Sequence, residues 1–129
     1  MDEEFDKVSL SELQLAIMRV LWQHPDSTIA QVVQHLQPDR ELAHTTVATL
    51  LSRLEKRELI HATKEGRQLM YRALISESHI QRSMVADLLS NLFMGKTSAL
   101  LSHLVNESTM DETELEQIRL LLAQKGKQK

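Results

Sequence analysis

The sequence predicts a mainly α-helical protein carrying one small β-hairpin. Three observations predict it. Apolar residues recur at helical spacing over most of the 129 residues. The period shortens to two only around Gly66, the first of three glycines. Helical stripes then resume after Ser76 and run almost to the end.

Taken in order, residues 1–8 read as a frayed acidic leader. Ser9-Leu10-Ser11-Glu12 has the pattern of a capping box, with Val8 and Leu13 placed for a hydrophobic staple. Leu10, Leu13, Ile17 and Leu21 share one helix face, and Leu15, Met18 and Trp22 make a second apolar flank. A helix buried on two sides follows from that, ending near Gln23 because Pro25 opposes continuation. Trp22 is read as core. Thr28-Ile29-Ala30-Gln31 is a second capping pattern, and Val32, Val33 and Leu36 face inward behind it. Ser27–Ile29 can also lend a brief extended segment. Pro38-Asp39 breaks the chain.

Residues 43–58 form the next helix. Val47, Leu50, Leu51 and Leu54 lie on one side at i, i+3, i+4 and i+7. The other side carries Thr45, Thr49, Ser52 and Lys56, flanked by Thr46, Ala48 and Arg53. No acid occurs before Glu55, whereas an ordinary solvated face mixes Glu with Lys. Two helices joined by a tight break, the second with a polar entering end, is the helix-turn-helix arrangement. Leu59–Thr63 and Gln68–Leu74 then read as strands turning at Glu65-Gly66, with Lys64 and Arg67 at a basic tip. On a period-two strand Tyr71 shares a side with Leu69 and Ala73, which favours packing. Residues 1–75 are thus expected to be a winged helix-turn-helix domain.

Residues 76–129 are expected to be a helical dimerisation domain. Ile80, Met84, Val85, Leu88, Leu89, Leu92 and Phe93 make a broad stripe, closed by Gly95. Leu100, Leu101, Leu104 and Val105 mark a shorter helix. Thr109-Met110-Asp111-Glu112 offers a third box before Leu115, Ile118, Leu121 and Leu122. The tail 126–129 reads as disordered. So small a unit cannot bury these stripes alone, and a second copy is the economical cover. Ile80, Met84, Leu88, Leu92, Phe93, Leu100, Leu101, Leu104, Leu115, Ile118 and Leu122 are the expected interface. Packing back onto the winged helix is the competing reading.

Composition narrows the functional classes. Net charge is −3, but residues 40–75 carry seven Lys/Arg against four Glu. Residues 1–39 carry two against seven acids, and 76–129 six against seven. The cations are therefore concentrated with the Thr-rich helix and hairpin, the distribution expected of a nucleic-acid contact of modest strength. Aromatic content of 3% offers few rings on which single-stranded bases could stack, which favours duplex DNA. There is no cysteine, hence no disulfide, thiolate metal site or thiol nucleophile. The six histidines show no ligand spacing, and no phosphate loop or nucleophile elbow occurs, so neither catalysis nor a cofactor nor a bound metal is expected. A site across the dimer using His79 or His103 stays the alternative. The acidic start and the lack of any run of ~20 apolar residues fit a cytoplasmic protein without membrane insertion.

T-T-V-A-T-L-L-S-R-L-E-K-R (45–57), E-G-R-Q-L-M-Y-R (65–72) and L-F-M-G-K-T-S-A-L-L-S-H-L-V (92–105) resemble the penicillinase-repressor family (BlaI/MecI/CopY) from about Leu10 to Ala123. The resemblance implies a homodimeric winged-helix repressor on an inverted-repeat operator in duplex DNA. It puts the helix bearing His44, Thr45, Thr46, Thr49, Arg53 and Lys56 in the major groove, and the wing bearing Lys64 and Arg67 along the backbone. It also implies release by a signal, through a sensor protease or another antirepressor. Three positions depart from the pattern. The copper-sensing branch uses a C-terminal cysteine hook, which this chain lacks. The β-lactam branch is cut at an Asn-Phe bond, where ungapped alignment puts His103-Leu104. Glu58 stands where glycine commonly ends the recognition helix. The alternative function is a winged helix that serves as a protein–protein adaptor.

Overall fold

The computed structural model describes residues 8–127. Its elements are α1 (Glu12–Gln23), α2 (Ile29–Leu36), α3 (His44–Lys56), β1 (Ile60–Glu65), β2 (Gln68–Ala73), α4 (Glu77–Asn91), α5 (Thr97–Glu107) and α6 (Glu112–Lys127). They divide into two compact units, Met1–Ala86 and Asp87–Lys129, the division falling within α4. Helix α6 runs through Gly126 and Lys127, where a disordered tail was expected. The acidic leader 1–7 and the last two residues lie outside the described part.

The first unit is a winged helix. Helix α1 packs on α2, α3 and β2, while α3 packs on α2 and β1. Ile17, Met18 and Leu21 of α1, Val32 of α2, Val47, Leu51 and Leu54 of α3, and Ile60 of β1 are fully buried together. Two long-range ties close this core. The Trp22 indole N–H donates to the Ile75 carbonyl at 2.9 Å, so Trp22 pins the end of α1 to the end of the hairpin. Ser27 and Tyr71 exchange backbone hydrogen bonds of 3.1 and 2.8 Å, a one-residue third strand. Tyr71 is 5% exposed, as its packing role requires, and burial chiefly, then the Glu55 charge, raises its phenol pKa.

The helix starts follow the expected chemistry with shifts of register. Ser11, not Ser9, caps α1, and its box partner is Gln14. Ser11-Glu12-Leu13-Gln14 satisfies the same pattern two residues later, leaving Val8 and Leu10 free to be buried. Thr28 and Gln31 form the box of α2 as expected. For α6 it is Asp111 that accepts the Glu114 backbone N–H, at 2.9 Å, again two residues past the expected cap.

Helix α3 ends without a glycine. Glu58 takes φ 61°, the left-handed conformation. Its N–H donates to the Glu55 carbonyl at 2.9 Å and the Leu59 N–H to the Leu54 carbonyl at 3.1 Å. That pair of bonds is the Schellman motif, sealed by Leu54 and Leu59, both buried. The apolar clasp holds Glu58 in a conformation that Cβ disfavours.

Helix α4 has two faces, and this corrects part of the expected dimer stripe. Ile80, 1% exposed, and Ser83 are buried in the first unit, where Ser83 Oγ accepts the Val8 N–H at 2.5 Å. At ~100° per residue they lie roughly 140° round the helix from Val85 and Leu88, which are exposed, as is Leu92 just beyond it. Ile80 is therefore core rather than interface, and Met84 is half-buried against the same core. The helix also stops at Asn91, earlier than expected, and left-handed Met94 and Gly95 make the following turn.

Among the described residues, none of the buried apolar core belongs to the second unit. Phe93 lies edge-on to His103 with ring centroids 5.5 Å apart. Leu88, Leu92 (66% exposed), Leu101, Leu104 and Leu122 are open, and Leu100, Leu115 and Ile118 are half-buried. Met94 (82% exposed), Val105, Leu120 and Leu121 are exposed as well.

Replacing Glu58 by glycine removes the left-handed penalty. Glu58→Gly is expected to stabilise the fold by about 1 kcal/mol, roughly 3–5 °C in Tm. Glu58→Ala, which keeps Cβ, should leave Tm nearly unchanged in the same thermal melts. An equal gain from both would assign the effect to charge instead of backbone.

Candidate nucleic-acid interface

Helix α3 presents its polar face to solvent because its apolar stripe is anchored. Val47, Leu50, Leu51 and Leu54 are buried, and His44, Thr45, Thr46, Thr49, Ser52, Arg53 and Lys56 are exposed. The entering end is unencumbered. Ala43 at the N-cap makes no side-chain cap bond, and the first turn contains no acid. The last turn holds Arg53 and Lys56. Hydroxyls and an open N-terminus at one end, cations at the other, suit approach to a base edge first and phosphates behind.

The wing is positioned by its register. Ile60 pairs with Ala73 and Glu65 with Gln68, leaving Gly66 and Arg67 as the two central residues of the turn. The turn thus lies one residue beyond the expected Glu65-Gly66. Gly66 has φ 64°, whereas Arg67 is not left-handed, the pattern of a II′ hairpin turn.

The fold brings His44 and Arg67 together. A groove of about 300 Å³ runs between the start of α2, the start of α3 and the descending wing strand, lined by Thr28, Ile29, Ala30, His44, Arg67, Gln68 and Leu69. Thr28, Ala30 and Gln68 were not among the sequence candidates, and only the capping box of α2 signals that this end is exposed. Lys64 is placed elsewhere, in a separate hollow with Asp26, His61, Thr63 and Arg72. Arg72 is committed within that hollow. Its guanidinium donates to both Asp26 carboxylate oxygens, at 2.9 and 2.8 Å. Hydrogen bonding to Arg72 holds the Asp26 pKa below its ordinary 3.8. Whatever stability the pair adds is present above that value and lost as pH falls through the lower folded one. Arg40 is partly engaged with Glu12 at 3.5 Å. Among the described residues no three His, Cys, Asp or Glu side chains cluster as metal ligands.

The family model for penicillinase repressors matches residues 10–124. The chain belongs to the penicillinase-repressor family. The BlaI transcriptional regulator of Mycobacterium tuberculosis is 31% identical over 107 residues, covering 81% of this chain and 78% of that protein. The methicillin resistance regulatory protein MecI of Mammaliicoccus sciuri is 23% identical over 97% of this chain and 100% of its own length. The solution structure of the DNA-binding domain of the repressor BlaI is 31% identical, covers 55% of this chain and 87% of its own, and superposes with a TM-score of 0.50. The family is one of transcriptional repressors with winged-helix DNA-binding domains and not of enzymes. The helix-turn-helix and wing read from the sequence are therefore the fold of that family. Among the described residues no helix is long and apolar enough to cross a membrane.

Nothing lies within 4 Å of a Cβ built on Gly66, so only the positive φ opposes a side chain there. Gly66→Val is expected to cost on the order of 1 kcal/mol. Amide exchange should accelerate across β1 and β2 while the α1 and α3 amides keep their relative protection. Uniform loss of protection would refute a purely local role.

Proposed function

We propose that the protein is a homodimeric repressor that binds an inverted-repeat operator in duplex DNA. The observation that carries this is the exposed face of α3, which holds no acid before Glu55 and is kept outward by its buried stripe. Thr45, Thr46 and Thr49 read bases, since a threonine hydroxyl bonds several base edges and its methyl meets that of thymine. His44 borders them. Arg53 and Lys56, with Lys64 and Arg67 on the wing, meet phosphates and set the register.

Dimerisation is supported by the second unit, which exposes Leu88, Leu92, Leu101, Leu104 and Leu122. Large apolar side chains left exposed in this number are a common mark of an association site. A homodimer lays two α3 helices on half-sites one DNA turn or a multiple apart. Release by cleavage at His103-Leu104 would require α5 to open locally, because that bond lies within the helix. The 129 residues hold no cysteine, which speaks against a thiolate metal hook as the trigger.

Selection from randomised duplex is the direct test, and it should return a palindrome. Failure to select any at low salt would favour the adaptor reading. On the selected site, Thr49→Ala should relax preference at one position per half-site, costing about 1–3 kcal/mol there. Arg67→Ala should weaken operator and random duplex alike and reduce the salt slope by about one. Equal loss on both duplexes for Thr49→Ala would remove it from the readers. Leu88→Asp is expected to give a folded monomer with operator affinity reduced to the non-specific level. Sedimentation and gel shift measure the two parts, and a monomer with full affinity would refute the coupling.

A further inference from the structure

A half-open cavity of about 730 Å³ lies at the C-terminal end of α3. Val8, Leu59 and Ile75 form its apolar walls, and Leu74, 58% exposed, stands at its mouth. Arg57 and His79 bring polar groups to it. Its size is that of small-molecule sites, which span ~300–1,000 Å³, and its lining is half apolar and half polar, the polar half being Arg57, Glu58, Ser76 and His79. No part of the DNA-reading surface described above lines it.

We propose that this cavity binds a small amphipathic monoanion, a carboxylate carried on an apolar ring or chain, and that its occupancy weakens DNA binding. Arg57 is the centre of the argument. It is the C-cap of α3, and its exposed guanidinium donates to the Ser9 carbonyl at 2.9 Å and to Gln14 Oε1 at 3.4 Å. Both acceptors are neutral, and the second bond is long. A carboxylate arriving in the cavity offers a stronger, bidentate acceptor. Glu58 lines the same cavity and opposes anionic charge, so Arg57 has to outweigh it for one carboxylate and a dianion is disfavoured further. The apolar walls take its hydrocarbon part.

The coupling follows from what Arg57 holds. Through Ser9 and Gln14 it ties the last turn of α3 to the start of α1. Drawing the guanidinium to a ligand loosens that tie at the residue preceding Glu58, whose left-handed conformation depends on the surrounding clasp. The aim of α3 then differs between the occupied and empty states, and a ligand favouring one state opposes DNA favouring the other. The binding half stands on the cavity alone, whereas the regulatory half rests on the repressor reading.

The test uses 2-naphthoate and the full chain labelled for NMR. Saturable shifts at Val8, Leu59, Ile75 and His79 are expected, with Kd on the order of 1 mM for a ligand of this size. Neutral 2-naphthylmethanol should bind about tenfold more weakly, and Arg57→Gln should lose about the same factor for naphthoate. Leu74→Glu places a charge at an exposed position. It should keep the wild-type Tm and abolish naphthoate binding. Shifts confined to the open leucines of α5 and α6, or binding that Leu74→Glu and loss of the carboxylate both leave intact, would overturn the site. With a selected duplex, saturating naphthoate should lower DNA affinity, and DNA should lower naphthoate affinity by the same factor. Naphthoate binding that leaves DNA affinity unchanged would overturn the regulatory half. If no duplex is selected, the repressor reading fails together with that half, while the NMR titration still decides the cavity.

Discussion

The first unit depends on the burial of one stripe, Val47, Leu50, Leu51 and Leu54. Each side chain removed from water in this way contributes about 1.5–3 kcal/mol. Together they fix the rotation of α3 about its own axis, and that rotation alone decides which residues meet solvent. A turn of one residue, ~100°, would bury threonines and expose leucines. The hydroxyl face is thus a consequence of core packing, and its chemistry is free to vary without touching the core. The same packing explains why the C-terminal clasp tolerates glutamate. Leu54 and Leu59 are both buried, so the exposed Glu58 that joins them adopts φ 61° because its neighbours require it.

Much of this was legible in the sequence because the signals were local and periodic. The stripe of α3, the two strands around Gly66 and the Thr28-Gln31 box each lie within a few residues of one another. The cap of α1 was misplaced because two capping patterns overlap at Ser9 and Ser11. Pattern alone cannot choose between them, whereas burial of Val8 and Leu10 does. For contacts of long sequence separation the partners could not be read, although the extended segment at Ser27 was. Nothing in the sequence announces that Arg72 holds Asp26 or that Tyr71 pairs with Ser27, since each depends on how the hairpin folds back. The groove joining His44 to Arg67 was hidden for the same reason.

Helix α4 shows how a correct periodicity can still mislead. Its apolar residues cover so broad an arc that they read as one stripe. Packing splits them, Ile80 toward the core of the first unit and Val85, Leu88 and Leu92 toward solvent. A broad stripe therefore covered one buried face and one exposed face rather than a single interface. The burial of Ser83, satisfied by the Val8 amide, marks the inner face as firmly as Ile80 does.

The charge distribution makes the dimer necessary to the proposed function rather than incidental. The segment holding α3 and the wing carries seven cations, but Arg72 is committed to Asp26, Arg57 to Ser9 and Gln14, and Arg40 partly to Glu12. Four remain for phosphates: Arg53, Lys56, Lys64 and Arg67. So few contacts support only weak, salt-sensitive binding by one copy. Presenting two copies on a rigid frame turns the second engagement into an intramolecular step, and the gain can reach ~10²–10⁴ without a new contact. The open leucines of α4, α5 and α6 are the surface that can supply that frame. On the proposed reading, the affinity that α3 lacks by charge comes from hydrophobic burial between two copies of the other unit, and control of operator occupancy reduces to control of geometry.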